Sequence, residues 1–323
     1  MRVWSLALRR LAASLPTLVV ILIGLFLLLQ LAPGDTVDAL VAQMGGGDTA
    51  MAEELRRFYG LDATVAVQLG RYLWRLVRLD LGFSAIYGKP VATVILERLP
   101  ATLLLMGSAL SLAIAGGTAL GILAARRVNR WPDTLISTLG LIFYATPSFW
   151  FGLLCIVLFA VKLGWLPAGG FEEIGTGYAG LRRALDIALH LLLPTATLAL
   201  VFLATYLRLM RASMLEVMTL DFVRTARAKG LSETAVVCRH ALPNALVPIV
   251  TVVGLQFGAL LAGAIVTETI FSWPGLGRLT VSAISNRDYA LVQGCLLSIG
   301  LTYVLVNLLT DAVYRWVNPR MRG

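Results

Sequence analysis

The stretch Ala101–Ala125, ATLLLMGSALSLAIAGGTALGILAA, decides the fold class. It contains no charged side chain. As a helix it would rise about 37 Å, enough to cross a hydrocarbon core of about 30 Å. Five further runs share its character: Leu11–Leu31, Thr134–Val161, Ile187–Leu207, Leu246–Val266 and Leu291–Val313. Each is apolar throughout rather than alternating, so barrel strands are excluded. Lipid offers no partner to backbone N–H and C=O groups, so such runs must be helices. The whole chain agrees: 58% of its 323 residues are hydrophobic and 14% charged, against about 45–50% and 25% in soluble domains. The expectation is an all-α membrane protein with about six transmembrane helices.

The cations orient the bundle. With the N-terminus inside, the inner segments hold 15 of the 27 Lys and Arg residues, and the short outer segments hold 5. The remaining 7 lie in the long loop 33–98 beside eight acids, and that loop is too long to count. Both termini are therefore expected in the cytoplasm. The net charge of +9 suits helix ends at an anionic membrane surface. No module of interleaved basic and aromatic residues accompanies it, so nucleic acid is not an expected partner. Leu11–Leu31 exceeds the h-region of a secretion signal, about 7–15 residues, and is read as a retained first helix. The expected organisation is the first helix in 1–32, an extracytoplasmic loop 33–98, a five-helix domain 99–315 with a cytoplasmic loop 211–245, and a tail 316–323.

Catalytic and coupling chemistry is sparse. No GxxxxGK[ST], HExxH or GxSxG occurs, and Gly45-Gly46-Gly47 lacks a following Lys-Ser/Thr. His190 and His240 fall on opposite sides of the predicted membrane. Cys155, Cys238 and Cys295 form no CxxC pair, so no metal site is expected. A proton- or ion-coupled carrier would carry ionisable groups at membrane depth. The nearest are Glu268, at the outer end of the fifth run, and Asp311, four residues before Arg315 and explained by an ion pair on one helix face. A carrier, channel or intramembrane enzyme thus lacks its residues, and the energy source is expected elsewhere.

Within the long loop, Leu69, Leu73 and Leu76 recur at helical spacing with Tyr72, and Arg71, Arg75 and Arg78 recur on a neighbouring face. This predicts an amphipathic helix packed on the bundle or the outer leaflet, with contact to an external partner as the alternative. Gly117-x-x-x-Gly121 and Gly254-x-x-x-Gly258 predict close helix approach.

The longest cytoplasmic stretch, 208–245, reads RLMRASMLEVMTLDFVRTARAKGLSETAVVCRHALPNA. Asp221 is expected to cap a helix from Phe222. Val223, Ala226 and Ala228 form its small face, Arg224, Arg227 and Lys229 its cationic one, and Gly230 its left-handed terminus. Ser232 can cap a second short helix running to Ala241, with Pro243 near the start of the fifth span. A basic loop on lipid headgroups explains the charge. A docking surface for a separate motor explains the small residues, the Gly turn and the two caps as well.

This segment resembles the EAA loop of ABC-importer permeases, whose pattern is Glu-Ala-Ala, three residues, Gly, nine residues, then Ile-x-Leu-Pro. Ala226, Gly230, Leu242 and Pro243 match it; Arg224 stands at the Glu, Thr225 at the first Ala and His240 at the Ile. Asp221–Leu231 and Arg239–Ala245 are similar to the form found in dipeptide, oligopeptide and nickel permeases. So are Leu31-Ala32-Pro33-Gly34-Asp35, Tyr59-Gly60-Leu61-Asp62, Asp80-Leu81-Gly82, Arg98-Leu99-Pro100-Ala101-Thr102, Thr146-Pro147-Ser148-Phe149-Trp150 and Glu268–Gly277, which look like the subfamily's first-permease type.

The resemblance implies a type I importer permease fold in a bacterial inner membrane. It implies a heterodimer with a second permease, two ATPase subunits that bind ATP and Mg, and an extracytoplasmic binding protein. The chain itself would hold no cofactor. Asp221, Arg224, Thr225, Ala226, Arg227, Lys229, Gly230, His240, Leu242 and Pro243 would dock the ATPase. Di- or oligopeptides are the expected substrates, with glutathione and nickel complexes as alternatives. Glu268, Phe271, Trp273, Pro274 and Gly275 are candidates for contact with the binding protein or substrate, against an interfacial aromatic belt as the plainer reading.

Overall fold

The computed structural model describes residues 2–31, 34–43 and 49–317. Ala32, Pro33, Gly45-Gly46-Gly47 and the tail from 318 lie outside the described residues, as do the side chains of Asp311 and Arg315. The chain divides into two compact units, residues 1–101 with 275–308 and residues 102–274 with 309–323.

The first unit contains α1 (Arg2–Leu31), α2 (Thr36–Gln43), α3 (Thr49–Tyr59), α4 (Val65–Val77), a hairpin of β1 (Phe83–Ser84) and β2 (Lys89–Pro90), the start of α5 (Val91–Arg126), α13 (Leu276–Ser285) and most of α14 (Tyr289–Val317). Its core joins Val91, Val94 and Ile95 to Leu276, Leu279 and Leu291. Gly294 lets α14 close on α5, since a Cβ there would lie 2.4 Å from Val91. Asp288 is buried and caps α14: one carboxylate oxygen accepts the Leu291 N–H at 3.2 Å, and the other accepts the Ser84 hydroxyl of β1. In the loop, Arg56 bridges Asp35 and Asp38 at 2.8 and 2.5 Å.

The expected amphipathic helix is α4. Leu69, Tyr72, Leu73 and Leu76 are half-buried, and Tyr72 stacks on Phe26 of α1 with ring centroids 5.8 Å apart. Arg71, Arg75 and Arg78 remain exposed. The helix therefore packs on α1 while keeping a cationic outer face.

The second unit contains the rest of α5, α6 (Trp131–Ala145), α7 (Ser148–Cys155) with its π-helical continuation Ile156–Lys162, α8 (Gly180–Val217), α9 (Asp221–Ala228), α10 (Glu233–Ala235), a π turn Val236–Ala241, α11 (Leu242–Ala245) and α12 (Val247–Ile270). Gly117 and Gly121 bring α5 against α8. A Cβ on either would sit 2.8 Å from a carbonyl oxygen, that of Leu203 or of Leu207. In lipid, such close packing stands in for the missing hydrophobic drive between helices. Gly254 likewise leaves room for the Thr310 methyl.

The six apolar runs are all helical. Among the described residues, Val91–Arg126, Gly180–Val217, Glu233–Gly254 and Tyr289–Thr310 are long and apolar enough to cross a bilayer. Val19–Leu31 and Gln256–Ile270 are shorter apolar stretches of α1 and α12. The run Thr134–Val161 corrects its expectation of one straight span. It is a helix pair, α6 and α7, bent by 103°. Pro147 has no N–H to continue α6, and it drives Thr146 to extended backbone, φ −78° and ψ 126°. The Thr146 hydroxyl bonds back to the Ile142 carbonyl at 2.8 Å and closes the first arm.

Candidate functional site

The segment after α8 forms a tight corner whose parts follow from local chemistry. Leu220, in extended backbone, precedes α9. Val223 and Ala226 are buried and pin α9 to the unit, while Phe222, Arg224, Thr225, Arg227 and Lys229 face outward. Gly230 follows with φ +78°, a left-handed turn that a side chain resists. An added Cβ would meet nothing within 4 Å, so the backbone angle selects glycine here, not crowding. Ser232 then caps the next helix by accepting the Ala235 N–H at 3.4 Å.

The corner is braced. Arg227 reaches across Gly230 to Glu233 with bonds of 3.2 and 2.8 Å. The Ser213 hydroxyl of α8 donates to the Ala245 carbonyl at 3.0 Å. The base of α8 is held by a two-pronged pair from Arg211 to the buried Asp133 at the start of α6, at 2.6 and 2.7 Å. Asp133 also accepts the Asn129 N–H at 3.0 Å. Such forked pairs fix geometry as well as energy. The exposed face that results is one aromatic ring, Phe222, beside Arg224 and Lys229. Arg224 lies only 3.6 Å from Asp221, with both side chains largely in solvent.

Four expectations change. Asp221 does not cap α9; it lies in the first turn, where its charge favours the helix N-terminus, and Leu220 holds the cap position without a side-chain bond. Ala228 is exposed, so the buried face is Val223 and Ala226 alone. Arg227 serves the internal brace. The second helix is not short: helix continues from Glu233 to Gly254. Pro243 breaks nothing because the π turn Val236–Ala241 directly before it shifts the hydrogen-bond register around the missing N–H. Pro243 is exposed, and His240 and Leu242 are half-buried on this helix. Sequence reasoning missed Glu233 and the Asp133–Arg211 pair. Glu233 was detectable as an acid in a capped first turn. The other pair spans 78 residues and leaves no local signal.

The outer-face candidates are placed otherwise than either reading expected. Glu268, Phe271 and Trp273 are fully buried, Gly275 is buried, and Pro274 is half-buried. They present neither an aromatic belt nor a partner surface, because the loop 163–179 covers them. The Gly170 N–H donates to the Phe271 carbonyl at 2.8 Å. Gly169 lies so close that a Cβ would fall 2.3 Å from that oxygen. Phe171 packs on Trp273 with ring centroids 5.0 Å apart. Thr102 of α5 donates to the Glu268 carboxylate at 2.6 Å. The loop itself is tied to α8 by the Arg183–Glu172 pair, at 2.5 and 3.1 Å, and by the Glu173 N–H to Asp186 at 2.7 Å. The bond from Arg183 holds the Glu172 carboxyl below its ordinary range. Among the described residues, no three His, Cys, Asp or Glu side chains come together as a metal site would require.

The comparisons with known proteins agree with one another. A family model described as the inner membrane component of binding-protein-dependent transport systems matches residues 117–323. A Brucella abortus (strain 2308) protein, provisionally named a peptide transport system permease protein, is 41% identical over 98% of this chain and 99% of its own length. The glutathione transport system permease protein GsiC of Escherichia coli (strain K12) is 39% identical over 97% of each chain. Among solved structures, one chain of the inward-facing MetNI methionine ABC transporter aligns with a TM-score of 0.52 at 18% identity, covering 70% of this chain and 97% of its own. That likeness concerns the fold.

Proposed function

The chain belongs to the family of inner membrane components of binding-protein-dependent transport systems, and from that premise we propose that it carries peptides and is driven through the corner at α9. As a member it is the multi-helix permease component of an importer in the inner membrane, working with a binding protein and an energy-supplying partner. The transported class is di- or oligopeptides, with glutathione as the second reading; the names of the relatives favour these two in that order. The path is built with a second, different permease. Two ATPases dock from the cytoplasm, and the chain holds no nucleotide or metal of its own.

The observation that supports docking at this place is the braced corner. α9 is anchored by Val223 and Ala226, turned at Gly230, and locked by Arg227–Glu233. It offers Phe222, Arg224 and Lys229 outward from a fixed backbone, as a cleft on a partner would require. Thr225, whose hydroxyl bonds the Asp221 carbonyl at 2.9 Å, keeps the helix regular up to the turn.

The test is Gly230→Trp in the assembled importer. A side chain at φ +78° strains the turn, and an indole there stands in the path of the docking cleft. The variant is expected to insert and to retain the second permease, but to lose ATPase co-purification and the uptake of labelled peptide. Uptake at the wild-type rate would refute docking at this corner. Robust ATPase-driven uptake of glutathione alone by the wild type would favour the second substrate reading.

A further inference from the structure

A cavity of about 760 Å³ opens in the first unit, at the ends of two membrane helices. Phe26, Leu29 and Gln30 of α1 form one wall, Ala290 and Gln293 of α14 another, and α3 and α4 close it. The volume lies within the range of small-ligand sites, about 300–1,000 Å³.

Its chemistry is one-sided. Arg57, Arg71 and Arg75 all line it. Arg75 is paired with Asp80 at 3.0 Å. Arg57 and Arg71 have no carboxylate partner among the described residues. The one acid in the lining, Asp288, is already engaged by the Ser84 hydroxyl and the Leu291 N–H. The Tyr72 hydroxyl is buried at the cavity and has no hydrogen-bond partner. Burial pushes its pKa up to about 12, so it remains a donor. Gln68, also in the lining, spends its amide N–H groups on the Leu61 and Ala63 carbonyls, at 3.1 and 2.8 Å, and its carbonyl oxygen on the Gln30 amide at 2.7 Å. Two cations and one orphaned donor thus line the same cavity, with no carboxylate paired to them among the described residues. A buried donor left unmet costs about 1–3 kcal/mol, a cost that an incoming anion would remove.

The surroundings say what carries the anion. Phe26 and Leu29 belong to the apolar run of α1, so the cavity meets the bilayer at the level where hydrocarbon gives way to headgroups. Around its mouth Phe58, Trp74, Val77 and Leu79 are 81, 58, 75 and 87% exposed. The Arg78 guanidinium sits over Trp74, 4.7 Å from the ring centroid. Exposed Trp74 and Val77 interleaved with Arg71, Arg75 and Arg78 along α4 and its cap are the pattern of an interfacial helix. A soluble anion would have no use for such a rim.

We propose that this cavity binds an acidic phospholipid, with its phosphate between Arg57, Arg71 and the Tyr72 hydroxyl and its chains along Phe26 and Leu29. The site is separate from the α9 corner and does not depend on the transported substrate. It makes α4 a lipid-anchored element, and it ties the packing of α4 on α1 to the acidic lipid content of the membrane.

The experiment uses the full chain in its assembled importer, extracted gently and examined by native mass spectrometry with lipid analysis. The wild type is expected to retain phosphatidylglycerol in preference to phosphatidylethanolamine. Arg57→Gln with Arg71→Gln should lower that retention by about tenfold or more, the scale of two arginines at an anionic surface. Arg57→Lys with Arg71→Lys should keep most of it, which separates charge from folding. A second arm adds short-chain phosphatidylglycerol, inorganic phosphate or a free peptide to delipidated wild type and follows thermal unfolding. Stabilisation by the lipid alone supports the proposal. Equal stabilisation by phosphate or peptide makes the site one for soluble anions and overturns the lipid assignment. Unselective lipid retention by the wild type overturns it too, as does loss of affinity for the binding protein in the Gln variant without loss of lipid.

Discussion

Single residues set the firmest points of the second unit. Asp133 is 5% exposed and Arg211 29%, and together they join the foot of α6 to the foot of α8. Asp133→Asn leaves the guanidinium without its counter-charge in a partly buried place. Its expected cost is about 3 kcal/mol, the lower end for breaking a buried pair because Arg211 keeps some solvent. Thermal unfolding in detergent measures it, and Asp133→Asn with Arg211→Gln should cost less than the two single changes added. Glu172 makes a prediction in pH. Its folded-state pKa lies below the ordinary 4.5, so its bond to Arg183 stabilises the loop above that value and is lost as pH falls through the lower, folded-state one. Amide exchange in 163–179, corrected for intrinsic rate, should be unchanged from neutral pH down to about 5 and should accelerate below about 4; Glu172→Gln should remove that acid step. The sequence exposed part of this scale. The left-handed Gly230 and the Ser232 cap were legible because turn chemistry is local. Arg211 was legible only as one of the cations that orient the chain and Asp133 not at all, since a pair so distant in sequence has no signature before the helices pack.

At the scale of elements, the apolar runs announce helices but not their breaks. Composition cannot distinguish a straight span from the α6–α7 pair, and Pro147 was visible without its consequence. The bend has two possible causes, the missing N–H or the packing of both arms on α8. Pro147→Ala separates them. If the proline makes the bend, spin labels at exposed Leu135 and Leu158 should move apart by about 10 Å as the arms straighten, given a rise of about 1.5 Å per residue. An unchanged distance would assign the bend to packing. Pro243 was expected near the start of the fifth span; the break expected before it, after Ala241, is absent, because the π turn there lets the helix continue. The loop 163–179 held no motif. Its function as the cover over Phe271 and Trp273 follows from Gly169, whose missing side chain admits the Phe271 carbonyl, and from the Gly170 N–H that donates to it.

At the scale of the whole molecule, the class and the family were legible because both are properties of long stretches. Runs of apolar residues and motifs in order along the chain survive any uncertainty about one position. What the chain contacts was less legible, because exposure is decided by tertiary packing: Glu268, Phe271 and Trp273 looked like a surface and are buried. One feature of the α9 corner bears on how such a protein moves. Beyond the Arg227–Glu233 brace, the backbone continues as helix from Glu233 to Gly254 without a flexible joint. A rod of this kind works as a lever whose short arm is the α9 corner and whose long arm is the apolar helix beyond it. Torque applied at the corner passes along this rod by way of the π turn Val236–Ala241, where the hydrogen bonding departs from the regular α pattern. The stroke delivered along the rod is then governed by the stiffness of Val236–Ala241, six residues that pack on α9 at the corner and run on into α11.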